Sequence, residues 1–399
     1  MDSKIPNIRF KGFTDAWEQR RLGEVTIYQN GKGYEDSQSS SGKFELINLN
    51  SISIDGGLKS SGKYIESADK TLLTDDLVMV LSDVGKGDLL GRVAIIPKDN
   101  YYVLNQRVAL IRPKNKQQTN YLFSYINSHQ RYFKLHGAGM SQLNISKGSV
   151  ENFPLLLPSL PEQQQIGTFF AHLDTLISLH QRKCDQTKEL KKTMLQKMFP
   201  KKGETVPEIR FPEFTDAWEQ RKLNEVSDIY DGTHQTPKYQ DNGVMFLSVE
   251  NIKTLTSNKF ISREAFEDEF KIRPQRGDVL MTRIGDIGTA NVVETDEDLA
   301  YYVSLALFKS EELNPYFLQA SIYSPFVQDQ IWKRTLHIAF PKKINKNEIG
   351  QVPINVPTLA EQTKIGSFFK QLDNTITLHQ RKCDELKEMK KTLLKNLFI

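Results

Sequence analysis

The sequence is poor in cysteine, and this excludes one class of protein at once. Cys184 and Cys383 are its two cysteines among 399 residues, too few for the disulfide framework of a small secreted protein. Apolar runs are short as well, since none reaches the roughly 18 residues of a membrane-spanning helix. The first ten residues are polar and do not resemble a signal peptide. We therefore expect a cytoplasmic protein with no membrane segment.

An excess of charge of either sign is also missing. Lys and Arg number 53 against 49 Asp and Glu, a formal net charge of +4, which permits nucleic-acid binding but does not argue for it. Residues 26–150 contain 15 basic and 11 acidic residues, whereas residues 227–349 contain 14 basic and 18 acidic ones. The acidic balance of the second stretch is unfavourable for a surface that contacts phosphates.

Catalytic motifs are missing too. Residues 85–87 (Gly-Lys-Gly) lack both the glycine spacing and the following Ser or Thr of a P-loop. Residues 314–317 (Asn-Pro-Tyr-Phe) lack the second proline of the Asn-Pro-Pro-aromatic motif of amino-methyltransferases. We interpret them as a helix start, with Asn314 as cap and Pro315 in the first turn. The sequence therefore predicts no catalytic residue, no cofactor-binding residue and no metal ligand in this chain.

The chain does contain a long duplication. Residues 157–199 return as residues 356–398, with 25 of 43 positions identical. Apolar residues recur at alternating steps of four and three, which is the period of a coiled-coil seam. Each copy begins with a capping box, Ser159 with Glu162 and Thr358 with Glu361. We predict two helices, each about 60 Å long at 1.5 Å per residue, that pack against each other. The seam positions are Ile166, Phe170, Leu173, Ile177, His180, Cys184, Met194 and Met198, and in the second copy Ile365, Phe369, Leu372, Ile376, His379, Cys383, Leu386, Leu393 and Leu397.

A second, shorter duplication divides the chain into halves. Residues 8–25 (IRFKGFTDAWEQRRLGEV) and 209–226 (IRFPEFTDAWEQRKLNEV) share 14 of 18 positions, and we expect Trp17 and Trp218 to be buried packing residues. The fold class is predicted to be α+β: two mixed α/β domains are separated by two long helices in an antiparallel coiled coil, with internal pseudo-two-fold symmetry. The predicted boundaries are 1–25 (repeated segment), 26–152 (block one), 153–199 (first helix), 200–226 (linker and repeated segment), 227–351 (block two) and 352–399 (second helix).

The residues at the middle of the two helices allow two interpretations. An antiparallel pair would bring His180 and Cys184 close to His379 and Cys383, and two His with two Cys can bind zinc. The alternative is a small polar layer that sets the register of the seam. We favour the polar layer, because the neighbouring Arg and Lys residues disfavour a cation.

Clusters of basic residues and glycine turns recur at corresponding places in the two blocks. Both could face DNA phosphates or base edges, although a solvated surface and plain hairpin turns are the simpler interpretations. Arg283 is the best candidate for reading a base, because it stands beside Gly285 and has a bidentate fork; its alternative is an ion pair with Asp286. The candidate DNA contacts are Lys32, Lys86, Arg92, Arg107, Arg131 and Lys147 in block one, and Thr233, Arg283, Arg334, Lys342, Lys343 and Lys346 in block two.

Taken together, three motifs carry a resemblance over the full length of the chain. They are the duplicated FTDAWEQR, the helix starts LPSLPEQQQIGTFF and VPTLAEQTKIGSFF, and the shared LHQRKCD. In this layout the chain resembles the specificity (S) subunit of Type I restriction-modification systems.

The resemblance implies a non-catalytic subunit that binds double-stranded DNA. Each block would be a target recognition domain for one half of a split site, and the helices would set the spacer and dock two modification subunits. Those subunits would carry S-adenosylmethionine and the adenine methyltransferase chemistry, while two restriction subunits would use ATP and Mg for translocation and cleavage. Two alternatives stay open: the DNA-recognition chain of a fused nuclease-methyltransferase system, and a two-headed protein-binding scaffold.

Overall fold

The computed structural model describes residues 6–398, which divide into two compact units. Unit one contains residues 6–180 and 381–398, and unit two contains residues 181–380. Each unit therefore combines one repeated segment and one block with the N-terminal half of one long helix and the C-terminal half of the other.

Unit one is built around a four-stranded antiparallel sheet. Its strands are β1 (Glu18–Arg21), β2 (Thr26–Asn30), β3 (Phe44–Ile47), β4 (Tyr64–Ile65), β5 (Leu77–Val80), β6 (Ser82–Asp83), β7 (Val93–Ile95), β8 (Tyr102–Leu104), β9 (Val108–Pro113), β10 (Leu143–Asn144) and β11 (Pro154–Leu157). Its helices are α1 (Leu22–Val25), α2 (Thr119–Ser128), α3 (Gln130–Leu135), α4 (Lys147–Glu151) and the first half of α5 (Leu160–Lys197), with 3₁₀ turns at Leu49–Ser51 and Lys116–Gln118. The main sheet has the order β2-β9-β5-β7; β4-β3-β8 form a smaller sheet, in which β3 and β8 are parallel.

Unit two repeats this arrangement. Its strands are β12 (Glu219–Lys222), β13 (Asp228–Asp231), β14 (Val244–Leu247), β15 (Phe260–Ile261), β16 (Val279–Ile284), β17 (Asp286–Val292), β18 (Leu299–Tyr301), β19 (Leu305–Lys309) and β20 (Pro353–Val356). Its helices are α6 (Leu223–Val226), α7 (Arg263–Glu269), α8 (Pro315–Tyr323), α9 (Pro325–Arg334), α10 (Lys346–Gly350) and the first half of α11 (Leu359–Leu397), with a 3₁₀ turn at Val249–Asn251. The sheets β13-β19-β16-β17 and β15-β14-β18 have the same order as in unit one, so the dissimilar blocks share one fold.

Strand β5, inside the main sheet of unit one, is apolar on both faces because both faces are covered. In β5, Leu77 and Met79 pack in a core with α2 and α5, whereas Val78 and Val80 pack against the smaller sheet. This alternation follows from the two-residue period of a strand. A continuous apolar run such as LVMV therefore marks a strand between two cores.

Each unit contains two consecutive short helices at a corresponding place, α2 with α3 and α8 with α9. In unit two the division falls at Ser324, whose hydroxyl accepts from Val327 N while Pro325 opens the next helix. The helix start at Asn314 is confirmed, since its side chain accepts from Tyr316 N and Phe317 N, both at 3.1 Å.

The long helices are confirmed, and within each unit their halves run antiparallel. In unit one, Asp174 pairs with Lys390 at 2.5 Å, and the Phe170 and Phe398 rings lie 5.7 Å apart. In unit two, Lys191 pairs with Asp373 at 2.6 Å, and Phe199 and Phe369 lie 5.9 Å apart. The residue number thus falls on one helix as it rises on the other. The helices begin at Leu160 and Leu359, directly after the predicted cap residues Ser159 and Thr358. The earlier part of each predicted segment, from residues 153 and 352, contains strands that end at residues 157 and 356 and pair with β1 and β12.

The predicted capping boxes are wrong in their acidic half. Glu162 and Glu361 are completely buried, and each forms a two-pronged ion pair with an arginine of the repeated segment, at 2.7 and 2.8 Å in both units. The partners are Arg9 and Arg210. These pairs fasten each repeated segment to the first turn of a long helix. Trp17 and Trp218 are buried beside them as expected.

The cysteines in the middle of the helices are buried in the helix interface. Cys184 Sγ lies 3.8 Å from the Ile376 carbonyl oxygen and 3.6 Å from Gln380 Oε1, and Cys383 Sγ lies 3.9 Å from the Ile177 carbonyl oxygen. Within residues 6–398, no group of three or more His, Cys, Asp or Glu side chains could hold a metal ion. Over the same residues, no helix combines the length and hydropathy of a membrane span.

Candidate DNA interface

Six of the twelve predicted DNA contacts are basic residues that form no salt bridge among the described residues. Five of these six side chains are exposed, and Lys346 is half-buried. They are Lys86, Arg107, Arg131, Lys342, Lys343 and Lys346. Ammonium and guanidinium groups in this state can pair with phosphates without first breaking an internal salt bridge.

The other six side chains are engaged inside their units. In block one, Lys32 pairs with Asp69 at 2.7 Å, which raises the pKa of the lysine, and Lys147 lies 3.6 Å from Glu151. In block two, Thr233 Oγ1 donates to Glu269 at 3.1 Å. The remaining three are Arg92, Arg283 and Arg334. The Arg334 guanidinium donates to the Gln330 carbonyl and side-chain oxygens at 3.0 and 2.8 Å.

Arg92 is set apart from the other block-one candidates. Its Nη1 donates to the Asn127 carbonyl at 2.9 Å, and burial lowers the pKa of its guanidinium. It lines a cavity of about 1010 Å³ between block one and the long-helix halves of unit one, together with Asp174 and Lys390. Its sequence position gave no sign of this location.

Arg283 does not occupy the position that was predicted for a base-reading residue. Its side chain is 8% exposed, its Nε donates to the Ile344 carbonyl at 3.1 Å, and its Nη1 forms an ion pair with Asp231. The predicted alternative, an ion pair with Asp286, also named the wrong partner, because the Asp286 carboxylate accepts from Thr289. The guanidinium is thus used within unit two, where it joins β16 to the end of β13 and to the backbone of Ile344.

Replacing Arg283 with alanine is therefore expected to destabilise unit two instead of relaxing one base position. Loss of two charge-assisted hydrogen bonds should cost about 1.5–3 kcal/mol, measured as a lower midpoint of urea unfolding. Arg283→Lys, which keeps the charge without the fork, should recover a part of the loss. An unchanged midpoint together with relaxed specificity at one position would restore the base-reading interpretation.

The glycine turns at the start of the blocks serve the fold itself. A Cβ on Gly31 would come within 1.8 Å of the Asn105 carbonyl oxygen, and one on Gly232 within 2.3 Å of the Tyr301 carbonyl oxygen. Each glycine lets the chain pass closely beside a second segment, with isolated parallel bridges at Lys32 and Thr233. Neither turn is the hairpin of the simpler interpretation, and the close approach is to the protein's own backbone.

A protruding loop occupies the same topological place in each block, and we call these loops tip loop one (residues 136–144) and tip loop two (residues 335–344). Each follows the second of two helices and precedes a short helix, α4 or α10. Each loop pairs with the chain at the end of an inner strand of the main sheet. Leu143 pairs with Asp83 in β6, just after β5, and Lys343 pairs with Ile284, the last residue of β16. The basic residues around them are Arg131, Lys134, Lys86 and Lys147 in unit one, and Arg334, Lys342, Lys343 and Lys346 in unit two. The sequence had pointed to these basic clusters but not to the apolar residues between them.

Two domains of one topology, each with cations around an equivalent loop and both connected to long paired helices, define a duplicated recognition protein. The family follows from the sequence itself. Residues 14–189 and 215–388 each match the model of the Type I restriction modification DNA specificity domain, so the chain belongs to this family. It is a type I specificity subunit with two recognition domains.

Relatives agree with this assignment over almost the whole chain. The type I restriction enzyme MjaVIII specificity subunit of Methanocaldococcus jannaschii is 24% identical over 403 residues, or 95% of this chain and 91% of the relative. The putative MjaX specificity subunit of the same organism is 24% identical over 409 residues, covering 95% and 92%. The crystal structure of a type I restriction-modification S subunit from M. genitalium covers 99% of both chains with a TM-score of 0.70 at 14% identity, which shows a shared fold.

Proposed function

We propose that each recognition domain reads one specified segment of a bipartite site in double-stranded DNA. The carrying observation is the duplication of one domain fold, with cations free of internal salt bridges around an equivalent tip loop in each copy. Block two is net acidic, but many of its carboxylates are already paired away from that loop, as in Arg276 with Asp296 and Lys259 with Glu250. Its local charge at the loop is positive, which removes the conflict between an acidic domain and DNA binding.

The long helices have two further roles in this proposal. They set the length of the unspecified gap between the two segments, and they dock two modification subunits. Four large apolar residues on the helices are 42–63% exposed. Exposed apolar side chains of this kind are expected where a partner protein packs. They are Leu176, Leu190, Leu378 and Met389.

The chemistry in this proposal belongs to partner subunits. The modification subunits would bind S-adenosylmethionine and methylate adenine, and two restriction subunits would use ATP and Mg. This chain would supply sequence recognition and no catalytic residue. Because the DNA that this chain would recognise is cellular and incoming DNA, we propose that the chain is located in the cytoplasm.

Exchange of block two tests the assignment of one segment to each domain. Residues 227–351 would be replaced by the corresponding block of another specificity subunit, and methylated adenines would be mapped across the genome of a host that carries the modification subunit. We expect one specified segment to change and the other to stay the same. The reciprocal exchange of residues 26–152 is the matched control and should change the other segment.

A change in both segments, or in neither, would contradict the one-domain, one-segment proposal. Salt dependence distinguishes it further from a protein-binding scaffold. Binding through phosphates should weaken steeply as salt rises, because counterions are released from DNA. DNA affinity that does not respond to salt, or no affinity in the complex with the modification subunit, would favour the scaffold.

A further inference from the structure

Tip loop two exposes two large apolar side chains completely. Ile338 is 99% exposed and Phe340 is 103% exposed, whereas the other large exposed apolar residues described in unit two are at most 63% exposed. A folded protein does not gain stability from such positions, since transfer of these side chains from water into an apolar environment is favourable. Their exposure therefore indicates that they become buried against something else.

The base of the loop is held firmly, so the apolar tip is presented in a defined direction. Leu336 N donates to the Lys343 carbonyl at 2.8 Å, Gly285 N to the Lys342 carbonyl at 2.8 Å, and Ile344 N to the Arg283 carbonyl at 3.0 Å. Trp332 closes the base, with the His337 ring 4.0 Å from its centroid and Lys342 Nζ at 4.9 Å. Arg283 supports the same backbone through Ile344.

Unit one repeats the device with a different side chain. Met140, the middle residue of tip loop one, is 106% exposed. The loop is closed by reciprocal backbone hydrogen bonds between Ala138 and Asn144, at 2.9 and 2.8 Å. His136 stacks on Tyr132 at 4.0 Å, as His337 contacts Trp332 in unit two. The two blocks differ in sequence, but each has an exposed apolar side chain in its tip loop and a contact between a histidine and an aromatic ring at the base of that loop.

The shape and charge of the tips favour a DNA duplex over a protein surface as the occupant. A protein interface of ordinary size buries about 800 Å² on each side, which one or two side chains on a narrow loop cannot supply. The tips are also flanked by cations, Lys342 and Lys343 in unit two and Lys86 in unit one, which suit phosphates on both sides of a groove. Phe, Ile and Met are among the side chains that enter DNA as apolar wedges between base pairs.

We propose that Phe340 with Ile338, and Met140 in the other unit, insert between base pairs as wedges. This inference rests on the proposed function and deepens it: part of each segment would be read through the ease with which a base step opens. Pyrimidine–purine steps unstack most easily, so each specified segment should contain or adjoin such a step. Each tip would act only in the segment that its own domain reads.

The test uses the full chain in complex with its modification subunit and a duplex with the mapped site. Fluorescent base analogues are placed in turn at each position of both segments, except the adenine that is methylated, because methyltransferases extrude their target base from the duplex. We expect fluorescence to rise several-fold at one step in each segment. In the variant Ile338→Ser with Phe340→Ser, the rise should vanish in the block-two segment alone, and the affinity should fall about 10-fold.

Two variants provide matched controls. Phe340→Leu keeps an apolar wedge and should retain the fluorescence rise, whereas Met140→Ser should abolish the rise in the block-one segment only. Specific binding by the wild-type complex without a fluorescence rise, or a rise that survives the double serine change, would overturn the wedge and leave the proposed function standing. Lack of any specific binding by the wild-type complex would overturn both.

Discussion

A seven-residue insertion into both long helices is expected to widen the gap in the DNA site by up to about three base pairs. The insertions belong where each helix passes from one unit into the other, after His180 in α5 and after Gln380 in α11. Seven residues preserve the phase of a 3.5-residue seam and add about 10 Å to each helix at 1.5 Å per residue. Since base pairs are about 3.4 Å apart along DNA, three more would fit, with both specified segments unchanged.

The antiparallel arrangement within the units explains why both helices must be changed. In unit two, Lys191 pairs with Asp373, and in unit one Lys390 pairs with Asp174. Insertions into both helices at the unit boundary leave these ion pairs intact, because the two inserted segments can pack against each other. An insertion in α5 alone has no inserted segment to pack against and should weaken the pairing of α5 with α11.

A two-residue insertion at the same two places is the matched control. It rotates the following seam by about 200° at 3.6 residues per turn, so apolar residues face solvent and methylation should be lost. The readout is again the map of methylated adenines. Retained methylation with an unchanged gap after the seven-residue insertions would show that the helices do not measure DNA.

Glu361→Gln is expected to lower the stability of unit two by more than Arg283→Ala does. Glu361 is completely buried, and it receives two hydrogen bonds from Arg210, which raise the pKa of that guanidinium. Removing one charge of a buried pair leaves the other uncompensated and costs about 3–5 kcal/mol. The same Arg210 donates to the Asp216 carbonyl at 2.6 Å, so the repeated segment should also loosen from α11. The measurement is the free energy of unfolding in urea.

Three controls separate the buried charge from a general effect of mutation. Glu162→Gln, the equivalent change in unit one, should destabilise that unit by a similar amount. Replacement of both Arg210 and Glu361 by leucine should recover much of the loss, because no lone charge is left buried. Glu213→Gln, which removes an exposed ion pair with Lys364, should change little. Equal stability of the wild type and Glu361→Gln would mean that the pair contributes nothing.

Amino-acid patterns that repeat along the chain were sufficient to predict the elements whose structure depends on near neighbours. The two long helices and their buried seam, from Ile166 to Leu173 and from Ile365 to Leu372, follow from a local period of 3.5 residues. The helix start at Asn314 and Pro315 follows from capping chemistry within three residues. Domain duplication and the burial of Trp17 and Trp218 were likewise readable from the repeated motifs.

The tertiary structure alone decided which polar side chains are available for DNA and which hold the fold. Arg283 looked like a base reader beside Gly285, but Asp231, 52 residues earlier, occupies its fork. Glu361 looked like a capping residue, but Arg210, 151 residues earlier, buries it as an ion pair. Periodicity and capping act over a few residues, whereas the partner of a charge is set by whatever segment the fold brings within about 4 Å. The same reason hid the tip loops, because exposure of Ile338 and Phe340 is a property of the packed unit and not of their neighbours in sequence.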